Sequence, residues 1–434
     1  MTRTDARTLP LDEVSRLALS ERGLDYRLVE RDDDAAARAY IDAETRGFLG
    51  GEPTEDEAAE FRRAIASRRQ IGVYDEASVR PDVPVATINS WVGELTLPGD
   101  RIAPFWAISG VTVSPTRRRR GIARAMLEGE LRTARDAGLA VAGLTVSEAT
   151  IYGRFGFAPA VQAADWDIDT RRAGWRGGDP AGSLDYIARE EAIALFAELH
   201  DRVRVSRPGD VDGWEGRWRQ FTSVAAGAEH PGRTRVVRFA DADSVVRGVV
   251  AYRLTEDPSD MARTTLDVTY LVADGADAYA ALWGFLLRHD LVARIRATLL
   301  ATDEPLAWML ADRRGATVTV HDHEWLRILD VPAALEARGY PTPGSHVVAV
   351  RDDLGFADGS WRIDIAEDGT ARVTPTQKPA DVSMPASSLA ALYLGGVRAS
   401  TLRSAGLLEG EDRAVRALDT AFASDAAPAL GIWY

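Results

Sequence analysis

Four consecutive arginines, Arg117–Arg120, run into Gly121 and then Ile122, Ala123 and Arg124. Placed after a strand and at the start of a helix, such a turn is a seat for a diphosphate. The first helical amides have no intrahelical partner and point at an anion. Gly121 lets the backbone come close. Arginine side chains add charge-assisted hydrogen bonds to phosphate oxygens. No Gly-Lys-Ser or Gly-Lys-Thr is present, so P-loop nucleotide hydrolysis is not expected. The same arginines also suit a solvated basic turn or a nucleic-acid patch. Two neighbours narrow the choice. Upstream, Val111-Thr112-Val113 reads as a strand whose backbone groups could pair with an extended amide chain. About thirty residues on, after one helix and one strand, IYGRFGF carries Tyr152. Alone, Tyr152 would be a packed aromatic. The sequence closes on Trp433-Tyr434.

The elements that must position these residues alternate along the first part. Tyr26–Glu30 reads as a strand, and Asp34–Glu44 and Glu55–Arg68 as helices. Ile71–Asp75, Val85–Leu95 and Ile108–Val113 read as strands, and Gly121–Ala137 as an amphipathic helix. Ala140–Val146 reads as a buried strand, Ala149–Phe155 as a short helix and Phe157–Val161 as a last strand. A strand, a helix and a second strand in succession imply a right-handed crossover with parallel pairing there. Arg171–Gly182, rich in Gly and Arg, reads as a linker. A looser repeat of the same order follows, with helices at Glu190–Val203, Val211–Phe221 and Ala278–Arg288. Its strands are Arg235–Phe239, Val245–Leu254, Thr264–Val272 and Ile295–Leu300. The third part begins near His323 and reads as a small α+β unit. Its tail, Ala427–Tyr434, either docks in a groove or stays disordered.

At 434 residues the chain should form two or three domains. It is 46% hydrophobic and 27% charged, a soluble globular balance. No apolar run reaches the length of a membrane span, and the N-terminus does not read as a secretory signal. The absence of cysteine removes disulfides and thiolate chemistry and fits a cytoplasmic protein. A net charge of −14 argues against nucleic-acid binding and suits a cationic substrate. His321, His323 and Glu324 have no third convincing metal ligand nearby, so no metal is expected.

Together the motifs resemble the GNAT (Gcn5-related N-acetyltransferase) family. That resemblance assigns Val111, Thr112 and Val113 to pantetheine and Arg118, Arg119, Arg120, Gly121, Ile122, Ala123 and Arg124 to the pyrophosphate of acetyl-CoA. It assigns Tyr152 as the acid for the leaving thiolate. A phenol of pKa about 10 suits a thiolate near about 8.5. TRRRRGIARA, Ser147–Gly156, Val331–Tyr340 and Leu392–Leu402 resemble, more narrowly, the Eis (enhanced intracellular survival) acetyltransferases.

This narrower resemblance implies two tandem GNAT-fold domains of the α/β class, the second degenerate, and a sterol-carrier-like α+β domain. The boundaries would be 1–172, 173–322 and 323–434. It implies Ser147 and Glu148 beside the coenzyme, a homohexamer built as a dimer of trimers, and the Tyr434 carboxylate as catalytic base. On that last role Tyr434→Phe should be tolerated. Asp274 and Asp277, where the second domain would need an Arg-x-x-Gly loop, should repel a pyrophosphate.

The expected reaction is acetyl transfer to a primary amine, a small-molecule acceptor such as an aminoglycoside-like polyamine. Protein lysine or a small aromatic amine is the alternative, as is a lipid- or ligand-binding protein with an idle GNAT domain. Well-known members carry acids where this sequence has Gly47 and Trp433. Phe48, Trp91, Phe105 and Trp433 could instead form an aromatic amine pocket, or simply pack.

Overall fold

The structure is a computed structural model and describes residues 4–30 and 32–434. The chain divides into two compact units. The first comprises Met1–Ala160, Glu324–Asp425 and Tyr434, and the second Val161–His323 and Ala426–Trp433.

The first unit opens with α1 (Glu13–Ser20), β1 (Leu24–Leu28), α2 (Asp34–Gly47), α3 (Glu55–Ile65) and β2 (Arg69–Asp75). There follow β3 (Ala86–Leu97), β4 (Arg101–Val113), α4 (Ile122–Asp136), β5 (Val141–Thr145) and α5 (Ala149–Tyr152). Strands β1 to β4 pair antiparallel in chain order. β5 joins β4 in parallel, as a crossover through α4 requires. The parallel arrangement expected between the next two strands is not found. β5 pairs instead with Glu324–Ile328, antiparallel.

Apolar residues of α4, among them Met126, Leu127 and Leu131, close over Ile71, Ile88, Val92 and Trp106 of the sheet. One ion pair sits inside this layer. Arg69 Nε lies 3.3 Å from Glu130, and its other nitrogens donate to the carbonyls of Leu9 and Pro10. α1 was not read from the sequence. Asp12 caps it, Ser15 Oγ donates to the Ala125 carbonyl at 2.6 Å, and Arg132 pairs with Asp12 at 2.8 Å. Its fit is set by contacts on α4, not by its own periodicity.

The second unit takes in most of β6 (Ala158–Asp169), then α6 (Thr170–Ala173), β7 (Gly182–Ile187), α7 (Arg189–Val203), α8 (Glu215–Phe221), β8 (Thr234–Asp241) and β9 (Val246–Thr255). β10 (Thr264–Ala273), α9 (Ala276–Leu287), β11 (Val292–Leu300), α10 (Leu306–Met309) and most of β12 (Ala316–Ile328) complete it. Its strand order is β6-β11-β10-β9-β8-β7, with β10 and β11 parallel across α9. The parallel pair and its helix repeat the plan of β4, α4 and β5. The expected linker is part of this unit. Trp175 bridges to Leu310 and packs on the core, because a turn at Gly174 brings its ring back inward.

The remainder of the first unit carries α11 (Val331–Ala337), β13 (Gly344–Arg351), β14 (Gly359–Ile365), β15 (Ala371–Pro375) and β16 (Val382–Pro385). α12 (Ala386–Leu392), α13 (Ala399–Ser404), β17 (Glu409–Gly410) and α14 (Asp412–Ala421) follow. The five strands form a sheet in the order β15-β14-β13-β16-β17. Arg338 is fully buried beneath it. Its nitrogens donate to the carbonyls of Gly339, Tyr393 and Phe422 at 3.2, 2.7 and 3.0 Å, and the Tyr340 and Phe422 rings flank it.

Candidate active site

β4 and β5 pair only at Trp106–Ala142 and Ala107–Gly143. Beyond Ala107, β5 takes no part in pairing β4, so Ile108–Val113 present a strand edge on that side. Val111 and Val113 are half-buried. Thr112 is turned inward, with its Oγ1 2.6 Å from that of Thr87. What these three residues offer an extended amide chain is therefore backbone.

The arginine turn divides its labour. Arg117 Nε and Arg120 Nη1 both bond Asp75, at 2.7 and 3.1 Å, and they hold its carboxyl below the usual range. Arg120 also donates to the Arg22 carbonyl at 2.9 Å, and Arg22 returns a bond to the Arg120 carbonyl at 2.6 Å. These two arginines brace the loop. Arg118 and Arg119 are exposed and make no ion pair among the described residues. Arg124 lies 3.7 Å from Glu128.

Gly121 caps α4 in the left-handed region, φ +73°, and the first turn holds no acidic residue and no side-chain cap. A Cβ at Gly121 would stand 2.1 Å from an Arg22 nitrogen. Ile122 is buried under the helix and Ala123 is half-buried. An uncapped helix start, a close-approach glycine and two uncommitted arginines fit a pyrophosphate.

Tyr152 ends α5. It is 7% exposed and packs edge-on against Phe157 at 6.1 Å. Burial, with Glu148 beside it, pushes the phenol up to about 12. Ser147 and Glu148 are both exposed in the turn before α5, where Glu148 accepts from Thr150 at 3.2 Å.

Tyr434 lies inside the first unit, 6% exposed. The Tyr434 carbonyl oxygen accepts from Thr145 Oγ1 at 2.6 Å, and the Tyr434 N–H lies 3.3 Å from that Thr145 Oγ1. Thr145 closes β5, seven residues before Tyr152. The Tyr434 ring meets Trp91 and Phe105 edge-on at 5.7 and 6.0 Å. Its hydroxyl donates to Glu324 at 2.6 Å, and that carboxyl has no solvent exposure. Gly143 makes room, since a Cβ there would lie 2.8 Å from the hydroxyl. Tyr434→Phe would therefore remove a buried hydrogen bond that the sequence did not reveal.

The four aromatics named as a possible pocket or packing residues have these surroundings. Trp91 and Phe105 pack on Tyr434, and Phe105 is only 1% exposed. Phe48 is exposed at the end of α2. Trp433 belongs to the second unit and sits edge-on to His323 at 4.6 Å. At Gly47 a Cβ would fall 2.4 Å from that of Thr112, so an acidic side chain has no room there.

One turn earlier stands an acid that sequence reading passed over. Glu44 is buried, with Asn89 Nδ2 3.3 and 3.4 Å from its two oxygens, and burial pushes it up to about 7. Arg68 donates to Asn89 at 3.0 Å and lies 3.9 Å over the Trp91 ring. The available signal was a glutamate four residues after Tyr40 on the apolar face of α2.

His321 pairs with Asp165 at 3.2 Å, and His323 Nε2 donates to the Ile432 carbonyl at 2.8 Å. The tail is docked in the second unit. Ala427 N–H bonds Asp303, Ala429 N–H bonds the Pro208 carbonyl, and Leu430 and Ile432 are buried. In the second unit, the start of α9 carries Asp274, bonded to Arg202 and Arg247 at 3.1 Å each, and Asp277 in its first turn.

Models of an acetyltransferase (GNAT) domain match residues 27–160 and again 209–328, and a sterol carrier protein domain matches 331–431. The chain is 35% identical over 395 residues to an uncharacterized N-acetyltransferase of Streptomyces avermitilis, spanning 87% of this chain and 93% of that one. It is 37% identical over 341 residues to N-acetyltransferase Eis of Mycobacterium tuberculosis, spanning 76% and 81%. The crystal structure of Eis1 from Mycobacterium abscessus superposes with a TM-score of 0.81 at 29% identity, covering 94% of this chain and 100% of that one.

Proposed function

Because this chain belongs to the Eis family of GNAT N-acetyltransferases, we propose that it acetylates primary amines of small, polyamine-like molecules by direct attack. Acetyl-CoA supplies the activated acyl group. The edge of Val111–Val113, the start of α4, and Arg118, Arg119 and Arg124 would hold it. Tyr152 gives its proton to sulfur as the C–S bond breaks. The Tyr434 carboxylate takes the proton that nitrogen sheds as the N–C bond forms. A carboxylate is a weak base, but attack makes the nitrogen acidic, so the transfer is downhill. No cysteine is available for a thioester on the protein. The reading includes a homohexamer in the cytoplasm.

One observation carries this assignment: Tyr434 is buried with its carbonyl oxygen on Thr145, at the end of the strand that leads to Tyr152. A neighbouring reading favours aromatic amines as acceptors. Gly47 has no room for an acid, and Trp433 stands where relatives were expected to carry one.

The test uses two variants. Tyr152→Phe should lower kcat by about 10²–10⁴ and leave the acetyl-CoA KM in place. One alanine added after Tyr434 should lower kcat by more than any loss of folded protein, read from the melting curve, accounts for. An unchanged kcat in the first removes Tyr152 as the acid, and an unchanged kcat in the second removes the terminal carboxylate as the base.

A further inference from the structure

In the second unit, β10 and β11 pair from Thr264 to Val268, with a register shift after Thr264, and are unpaired beyond. Between Thr269–Ala273 and Thr298–Ala301 they leave a cavity of about 290 Å³, near the lower end for small-ligand sites. It lies where the first unit would hold pantetheine. The acids at the start of α9 make it a poor seat for a diphosphate.

Five aromatic residues are part of its lining. Phe221 stacks on Tyr270 with centroids 4.6 Å apart, and Tyr279, Trp283 and Trp433 are the others. Two carboxylates enter it, Asp210 and Glu304. Asp210 accepts its neighbour's N–H at 3.0 Å. Glu304 accepts from Tyr279 and, at 3.3 Å, from Ala301.

Arg204, Arg207 and His200 line the same cavity, and each arginine is also paired with an acid that does not line it. Arg204 bonds Asp201 at 3.2 Å, and Arg207 bonds Asp303 at 2.8 Å. His200 is 3.9 Å from Asp210, and its two ring nitrogens lie 2.8 Å from the Tyr270 hydroxyl and the Val211 carbonyl. Burial raises both carboxyls above their usual range. A charge so desolvated is costly without a counter-ion.

We propose that this cavity binds a small organic ammonium ion with an aromatic or apolar body, held by Asp210 and Glu304 and faced by the aromatic rings. Rings favour a cation over their faces, and most of all a desolvated one. Filling this cavity involves no acyl transfer. Its ligand need carry no N–H.

The probe is benzyltrimethylammonium, which cannot be acetylated. Calorimetric titration of the full chain, without acetyl-CoA, should show saturable binding at one site per chain. Asp210→Asn and Glu304→Gln should each weaken it at least ten-fold, and Phe221→Leu several-fold. The neutral isostere neopentylbenzene should bind at least ten-fold more weakly than the cation. Melting curves identify any variant that does not fold, and the isostere comparison on the wild-type protein decides the matter if one fails. No saturation, equal affinity for the isostere, or unchanged binding in all the folded variants overturns the proposal. Because no turnover is measured, these outcomes are independent of the fate of Tyr152 and Tyr434.

Discussion

At the scale of single residues, Tyr434 has a second function besides any its carboxylate serves. Its phenol bonds Glu324 inside the first unit at 2.6 Å. Tyr434→Phe removes a donor from a buried acid and should cost roughly 1–3 kcal/mol. Coupling is the decisive measurement. Phe at 434 combined with Glu324→Leu should be less destabilised than the sum of the two single changes, read as a double-mutant cycle on chemical denaturation. Strict additivity would mean that the hydroxyl and the carboxyl do not interact. Glu44 and Glu324 explain why such residues escape a sequence reader. What hides them is distance along the chain: their partners, Asn89 and Tyr434, are 45 and 110 residues away. The four arginines were legible as a group. Their division into two braces and two free cations depends on Asp75, which lies on another strand.

At the scale of elements, the helix and strands around the arginine turn were legible because their signals are local. Gly121 and the apolar stripe of α4 sit within one stretch of sequence. The first helix and the bridging Trp175 were not, since each is fixed by a distant surface. The docked tail gives an element-level prediction. Burial holds His323 down to about 4, against an ordinary value of about 6.5, while it donates to Ile432. Between these values the unfolded chain takes up a proton that the folded one refuses. Stability from this group is therefore full above about 6.5 and is lost as the pH falls to about 4, by roughly 3 kcal/mol in all. His321, raised by its surroundings, works in the opposite sense. Denaturation at several pH values, compared with His323→Gln, isolates the effect. Parallel pH curves for the two proteins would refute it.

At the scale of the whole molecule, two GNAT domains need not mean two coenzymes. The second domain presents Asp274 and Asp277 where the first presents arginines. Titration with acetyl-CoA should give one bound per chain, and a stoichiometry of two would contradict the degenerate reading. The third region shows another property of a chain this long. Through Arg338, one side chain fastens backbone segments 55 and 84 residues away. A lysine there could not reach three carbonyls in a plane. In deuterium exchange, the last turns of α12 and α14 should therefore open together, at one rate, in the native protein. With Arg338→Lys that single step should split in two, so that one arginine sets the size of a cooperative folding block.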